Sequence, residues 1–169
     1  MDYPQDKEDL ELDLRFMTGH LSEAAEITTP LFQMKPAEEM RSLGTYHPAN
    51  ILGMNTPPTI TQGYTEPVIT WAHELFHHFH EELLTPQEKD LLEEESARRG
   101  WLNYGGKRNT SEEEVIAEQF GQYAVGEDII ISAEAKALFD RMLGVERDKE
   151  KKVIPLADRL FTDTGWAAP

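Results

Sequence analysis

Residues 68–84 read VITWAHELFHHFHEELL, and this stretch decides the fold prediction. Its apolar residues recur at helical spacing, which predicts one helix with a buried face. Within it, His73-Glu74-Leu75-Phe76-His77 matches the pattern H-E-x-x-H. Four-residue spacing in a helix puts both imidazoles on one face, about 6 Å apart, where they can share one cation. The stretch therefore predicts the central helix of a domain and two metal ligands.

Glu74 directly follows the first of the two histidines. At that position it projects to the side of the pair, so its carboxylate reaches a water on the metal rather than the metal itself. This is the position of a general base. The alternative interpretation is a chance match to the pattern in a histidine-rich helix.

Four other histidines are weaker candidates for the metal. His80 shares a helix face with the pair, but residues seven apart lie about 10.5 Å apart along the axis, so three imidazoles cannot easily close on one ion. We expect His80 either to contact one of the metal-binding side chains or to be exposed. His78 should lie off the helix face that binds the metal. His20 and His47 have no assigned role.

A catalytic zinc ion needs a third protein ligand, which must be His, Asp or Glu because the chain has no cysteine. The later segment TSEEEVIAEQFGQYAV, residues 110–125, has helical periodicity, and Glu118 lies among its apolar positions. A carboxylate in such surroundings needs a partner. The sequence therefore favours Glu118 as the third ligand.

The remaining polar residues of this segment receive other predictions. Ser111 and Glu114 predict a capping box at the helix start. Glu112, Glu113 and Glu114 lie in the first turn, where negative charge suits the helix dipole and solvent, so they are weaker ligand candidates. Glu114 and Gln122, one turn on either side of Glu118, could accept a hydrogen bond from a ligand imidazole or face solvent.

A peptidase also needs a hydrogen-bond donor beside the metal to stabilise an oxyanion. Two tyrosines could supply a phenol: Tyr104 in the glycine-containing stretch WLNYGGKRN, and Tyr123 on the glutamate-bearing helix. Tyr104 is the favoured candidate for a catalytic residue. A packing role is the alternative for Tyr104.

The pairing of HELFHHF (73–79) with EEVIAEQFGQYAV (113–125) resembles the zincin-like, or gluzincin, peptidase domain of the anthrax toxin lethal factor and related bacterial toxins and phage polyvalent proteins. The resemblance covers roughly residues 43–145. It implies zinc ligation by His73, His77 and Glu118, with Glu74 activating water. It also implies a zincin-like fold, in which an active-site helix and a glutamate-bearing helix accompany a small β-sheet.

The predicted fold class is α+β and mainly helical. Residues 1–42 are expected to be a partly helical extension, residues 43–145 the metallopeptidase domain, and residues 146–169 a tail. Within these, Pro36 to Gly44 predicts a short helix and 59–64 a strand. Thr85 and Ser132 predict the starts of two further helices.

Composition limits the partners. The 169 residues carry 32 Asp and Glu against 16 Lys and Arg, a formal charge of −16, which should repel nucleic acid and anionic membranes. The start, MDYPQDKEDL, lacks the features of a secretory signal, so we expect a cytoplasmic protein, or one that is virion-associated or delivered by another route.

The sequence thus predicts a zinc metalloendopeptidase that acts on a protein or peptide. Two alternatives stay open. The chain could be a phage virion-associated or other structural protein that keeps a zincin fold without turnover. It could also be a toxin or effector with one substrate, and in both settings a phage or toxin assembly partner is expected.

Overall fold

The computed structural model describes residues 7–50, 56–101 and 111–144. These residues are mainly helical with one small sheet, which confirms the predicted α+β class. None of the described helices combines the length and apolar character needed to cross a bilayer. In chain order the elements are α1 (Lys7–Ala24), β1 (Leu31–Met34), a 3-10 turn (Ala37–Glu39), β2 (Gly44–His47), β3 (Thr59–Gln62), α2 (Pro67–Glu82), α3 (Pro86–Arg99), α4 (Glu112–Ala124) and α5 (Ala133–Met142).

The three strands form one mixed sheet with β3 in the centre, parallel to β1 and antiparallel to β2. Alternate side chains point to opposite faces, as the two-residue period of a strand requires. Phe32 and Met34 of β1 are buried together with Ile60 and Gln62 of β3. This buried face packs against the helices, and α1 and α2 both contact the sheet.

Helix α1 covers the outer edge of β1 with two charged side chains. Nε of Arg15 donates to the carbonyl oxygen of Phe32 at 3.3 Å, and the N–H of Met34 donates to Oε2 of Glu11 at 3.0 Å. The two charged side chains also pair with each other at 2.6 Å. Two of the backbone groups with which a further strand could pair are therefore occupied.

The N-terminal segment, expected to be an extension, builds part of the common core. Leu14 and Met17 of α1 are buried in the same apolar cluster as Trp71 of α2. Nε1 of Trp71 donates to Oγ1 of Thr18 at 2.7 Å, which fixes α1 against α2. Helix α1 therefore shares its apolar core with the region predicted to be the metallopeptidase domain. The predicted tail lies outside the described residues.

Helix α2 is the central element, as predicted. The ring of Phe76 packs against Phe120 of α4 and Phe139 of α5, with centroids 5.4 and 6.3 Å away. Gly121 lets α4 approach closely, since a Cβ there would lie 3.1 Å from the carbonyl oxygen of Ile69. This approach brings the first turn of α4 to the histidine-bearing face of α2. The buried apolar residues of α2 are Val68, Trp71, Ala72, Leu75, Phe76 and Phe79.

Local signals predicted most helix starts. The capping box at Thr85 is confirmed: its Oγ1 accepts the N–H of Glu88 at 3.2 Å, and Glu88 accepts the N–H of Thr85 at 2.9 Å. The helix predicted between Pro36 and Gly44 is wrong. Only the 3-10 turn forms there, and Gly44 begins strand β2, because pairing with β3 outweighs local helix signals.

Glu95 joins α3 to the start of α5. Its buried carboxylate accepts the N–H of Ser132 at 2.6 Å and a hydrogen bond from Nε of Arg99 at 3.1 Å. Burial raises the pKa of this carboxyl, but these hydrogen bonds outweigh it and hold the pKa below its ordinary value of 4.5. The charged form of Glu95 therefore stabilises the fold.

We expect Glu95→Ala to lower the free energy of unfolding by about 2 kcal/mol near neutral pH, because hydrogen bonds to a buried charge are lost. A depressed carboxyl pKa stabilises the fold above the unfolded pKa, and this contribution is lost as pH falls through the folded pKa. The difference from wild type should therefore shrink below a pH of about 4.5. Urea unfolding at neutral and acid pH measures it. Glu94→Ala, at an exposed neighbour, is the control, and an equal loss in both variants would contradict the assignment.

Candidate metal centre

Helix α2 brings His73 and His77 to one face, as their spacing predicts. Their ring centroids are 5.2 Å apart, and Nε2 of each ring points to the same carboxylate on α4. His77 is buried and His73 is partly exposed. The pair therefore lies at the boundary between core and solvent, where an ion could reach both rings.

The carboxylate that meets both imidazoles belongs to Glu114. Its Oε2 lies 3.0 Å from Nε2 of His73, and its Oε1 lies 2.7 Å from Nε2 of His77. One ligand atom from each of the three residues can be chosen so that all lie within 4.8 Å of one another. Among the described residues, this is the group of three that could hold a metal ion.

Glu118, predicted to be the third ligand, is not part of this group. The burial expected for it is wrong, because Glu118 is exposed and lies along the cleft one turn beyond Glu114. Only half of the predicted capping box at Ser111 is present: its Oγ accepts the N–H of Glu114 at 3.3 Å. The Glu114 side chain points to the histidines, so a local capping signal concealed its long-range contacts.

The donor set fits zinc. Two imidazole nitrogens and a carboxylate oxygen are ligands that zinc takes at catalytic sites. Nε2 of His77 is buried and has no hydrogen-bond partner, since Glu114 lies close to it but at an angle unsuited to a hydrogen bond. A buried nitrogen without a hydrogen bond is costly unless another group occupies it. A metal ion at the meeting point of the three side chains would do so.

The carboxylates around His77 change its proton affinity. Burial lowers the pKa of the imidazole, but contacts with Glu113 and Glu114 outweigh burial and raise the pKa to about 9. The hydrogen bond from His73 and the contact with His77 hold the pKa of Glu114 below its ordinary value. Metal binding at this position would therefore displace a proton.

Comparison with known proteins identifies no family for this chain. No protein-family model, no curated protein and no solved structure matches the chain. The chemistry of the site therefore rests on the distances and donor types within the chain itself.

Glu74 lies beside the group of three but is not part of it. It is 5% exposed, and its Oε1 is 3.7 Å from Nε2 of His73, too long for a hydrogen bond. Burial raises its pKa above the ordinary value, against an opposing effect of His73 and His77. Gly44 of β2 supports it closely, since a Cβ on Gly44 would lie 3.0 Å from Cγ of Glu74.

A cleft opens in front of Glu74 and the metal group. The start of β2 forms one side with Leu43 and Gly44, and α4 forms another with Glu118 and Gln122. Leu43 is half exposed, so the cleft offers an apolar side chain next to carboxylates. The cleft has a volume of about 470 Å³, far more than a single ion needs.

The other predicted participants lie apart from the ion position. The hydroxyl of Tyr123 donates to Oδ1 of Asp140, a contact between α4 and α5. Tyr104 lies outside the described residues. His20 stacks on Phe16 in α1, and His47 is exposed at the end of β2. None of these described side chains joins the group of three.

His78 has a structural role, as expected for a residue off the metal face. It is fully buried, with Nδ1 at 3.0 Å from the hydroxyl of Tyr46 and Nε2 at 2.6 Å from the carbonyl oxygen of Thr28. The carbonyl oxygen of Thr28 can only accept a hydrogen bond, so Nε2 carries the proton. In the neutral ring, Nδ1 then accepts a hydrogen bond from the hydroxyl of Tyr46. Burial lowers the pKa of His78, which favours this neutral form.

Proposed function

We propose that the chain is a zinc-dependent metallopeptidase of zincin-like fold, in which His73, His77 and Glu114 hold the ion and Glu74 is the general base. The main support is the meeting of two imidazoles and one carboxylate beside a buried glutamate in an open cleft. Three protein ligands leave one position of a tetrahedral zinc open, which is typical of catalytic rather than structural zinc.

When bound, zinc would supply a Lewis acid that polarises a carbonyl oxygen and acidifies water. The remaining chemistry belongs to Glu74. Its carboxylate takes a proton from the water that attacks the peptide carbonyl, and then delivers that proton to the leaving amine. The raised pKa of the buried carboxyl supports this role, because a base closer to the working pH both accepts and returns a proton readily.

The walls of the cleft indicate a peptide substrate with cationic side chains. Glu66 and Glu118 are exposed and line the cleft outside the group of three. Their carboxylates, together with the formal charge of −16, would attract a basic segment and repel an acidic one. The exposed side chain of Leu43 could contact an apolar residue of the same segment.

The first test is the zinc content of the purified protein, measured by mass spectrometry. We expect one zinc per chain in wild type and near-complete loss in His77→Ala, since one of three ligands is removed. His47→Ala removes an exposed histidine at the end of β2 and should retain the metal. If this control retains zinc, the loss in His77→Ala comes from the proposed site and not from the removal of any histidine.

Cleavage of a peptide library, with and without a chelator, completes the test. Zinc binding together with chelator-sensitive cleavage would support the peptidase. Zinc binding without cleavage of any peptide would favour the structural or virion-associated alternative. Absence of zinc from wild type even after reconstitution would remove the metal site and the proposal with it.

A further inference from the structure

Glu113, next to Glu114 in the first turn of α4, contacts the other side of His77. Its Oε2 lies 2.5 Å from Nδ1 of His77, while Nε2 of the same ring lies near Glu114. Adjacent helical residues project about 100° apart, so one turn of α4 can place carboxylates on both nitrogens of one ring. His77 is therefore held from two sides by consecutive residues.

A metal-binding imidazole uses one nitrogen for the ion and has a proton on the other. An acceptor for that proton fixes the tautomer and the orientation of the ring and raises its basicity as a ligand. Glu113 has the geometry of such an acceptor, because it occupies Nδ1 and leaves Nε2 facing His73 and Glu114. The nitrogen facing the ion position is the one that lacks a hydrogen-bond partner.

Glu113 is itself held in place by a third histidine. Its other oxygen, Oε1, lies 3.3 Å from Nδ1 of His80. The ring of His80 packs against Phe76, with centroids 5.7 Å apart, so its position depends on the core. The contacts thus run from the core through His80 and Glu113 to His77.

We infer that Glu113 is a positioning residue that orients His77 for the metal, with His80 holding Glu113 in turn. This inference rests on the proposed zinc site and adds two residues that do not bind the ion. It accounts for His80, which is too far along the helix to share an ion with His73 and His77. Ligand and orienting carboxylate are supplied together by the first turn of α4.

The test compares zinc affinity in wild type, Glu113→Gln and Glu112→Gln, using competition with a chromophoric chelator. Glutamine keeps the size of the side chain and removes the charge that accepts the imidazole proton. We expect Glu113→Gln to weaken zinc binding about 10- to 100-fold, the usual effect of losing such a partner. Glu112→Gln removes one charge from the same helical turn, outside the metal group, and should change affinity by less than about twofold.

Cobalt(II) in place of zinc gives a readout of ligand geometry that a general loss of stability would not change. The visible absorption bands of the cobalt protein should shift in Glu113→Gln and not in Glu112→Gln, while the melting temperatures of the two metal-free variants stay similar. Wild-type affinity and spectrum in Glu113→Gln would overturn the inference and leave the zinc site standing. Failure of wild type to bind either metal would instead overturn the proposed function, and this inference with it.

Discussion

Glu74→Gln is expected to reduce kcat/KM for a cleaved peptide by about 10²- to 10⁴-fold, while the zinc content stays at that of wild type. The amide has the size of the carboxylate but cannot accept a proton from water. Packing should be preserved, because the amide fits the buried space that the carboxylate fills beside Gly44. The measurement is steady-state cleavage of the best peptide from the library, with metal content determined on the same sample.

Glu66→Gln is the matched control for this experiment. Glu66 also lines the cleft, but it is exposed and lies at the start of α2, outside the group of three. Its loss should raise KM for basic peptides and leave kcat within about twofold, since it contributes attraction rather than proton transfer. Full activity of Glu74→Gln would rule out Glu74 as the base.

Glu114→Ala and Glu118→Ala should differ sharply in zinc affinity. Glu114→Ala removes a carboxylate within 3.0 Å of both imidazoles, so the loss should exceed the 10- to 100-fold typical of residues that only orient a ligand. Glu118→Ala removes an exposed side chain one helical turn away and should change affinity by less than about threefold. Chelator competition on both variants measures the difference directly.

The opposite outcome has a specific meaning. If Glu118→Ala lost zinc and Glu114→Ala retained it, the ligand would be the one chosen from sequence periodicity. The first turn of α4 would then have to move away from His73 and His77 when metal binds. Equal losses in both variants would indicate that general negative charge in the cleft, rather than one ligand, holds the ion.

Sequence alone predicted the geometry of those parts of the candidate site that lie on one helix. His73, Glu74 and His77 share α2, so their spacing fixes their relative positions before any tertiary contact is known. The third carboxylate depends on how α4 docks against α2, and the close approach at Gly121 sets that docking. Periodicity gives the faces of α4 but not its register against another helix.

Burial does not single out the glutamate of α4 that the structure brings to the two histidines. Glu114 contacts both imidazoles although about half of its side chain is exposed. Glu114 also has a local role at the helix start, because its backbone N–H donates to Oγ of Ser111. The sequence does contain three consecutive glutamates before the apolar stripe, which could have pointed to a carboxylate site. Negative charge at a helix start is also favourable for the helix dipole, however, so such a run does not by itself predict a metal ligand.

The sheet shows a similar limit for the fold. The alternating residues 59–64 predicted β3, yet the parallel pairing of β1 with β3 could not be read from either strand. Parallel pairing depends on the chain between the strands and on the surface that α1 provides. The role of α1 in the core therefore became visible only with the tertiary structure.

Because Glu11 and Arg15 cover the edge of β1, the two edges of the sheet differ in their access to another strand. Because α1 covers the edge at β1, the outer edge of β2 is the side on which an incoming extended chain could add hydrogen bonds, since no described strand pairs there. A chain added there would follow Gly44–His47 and pass the point where Gly44 touches Glu74. The contacts that cover one edge of the sheet thus leave the other edge, which runs past the carboxylate that we propose as the general base.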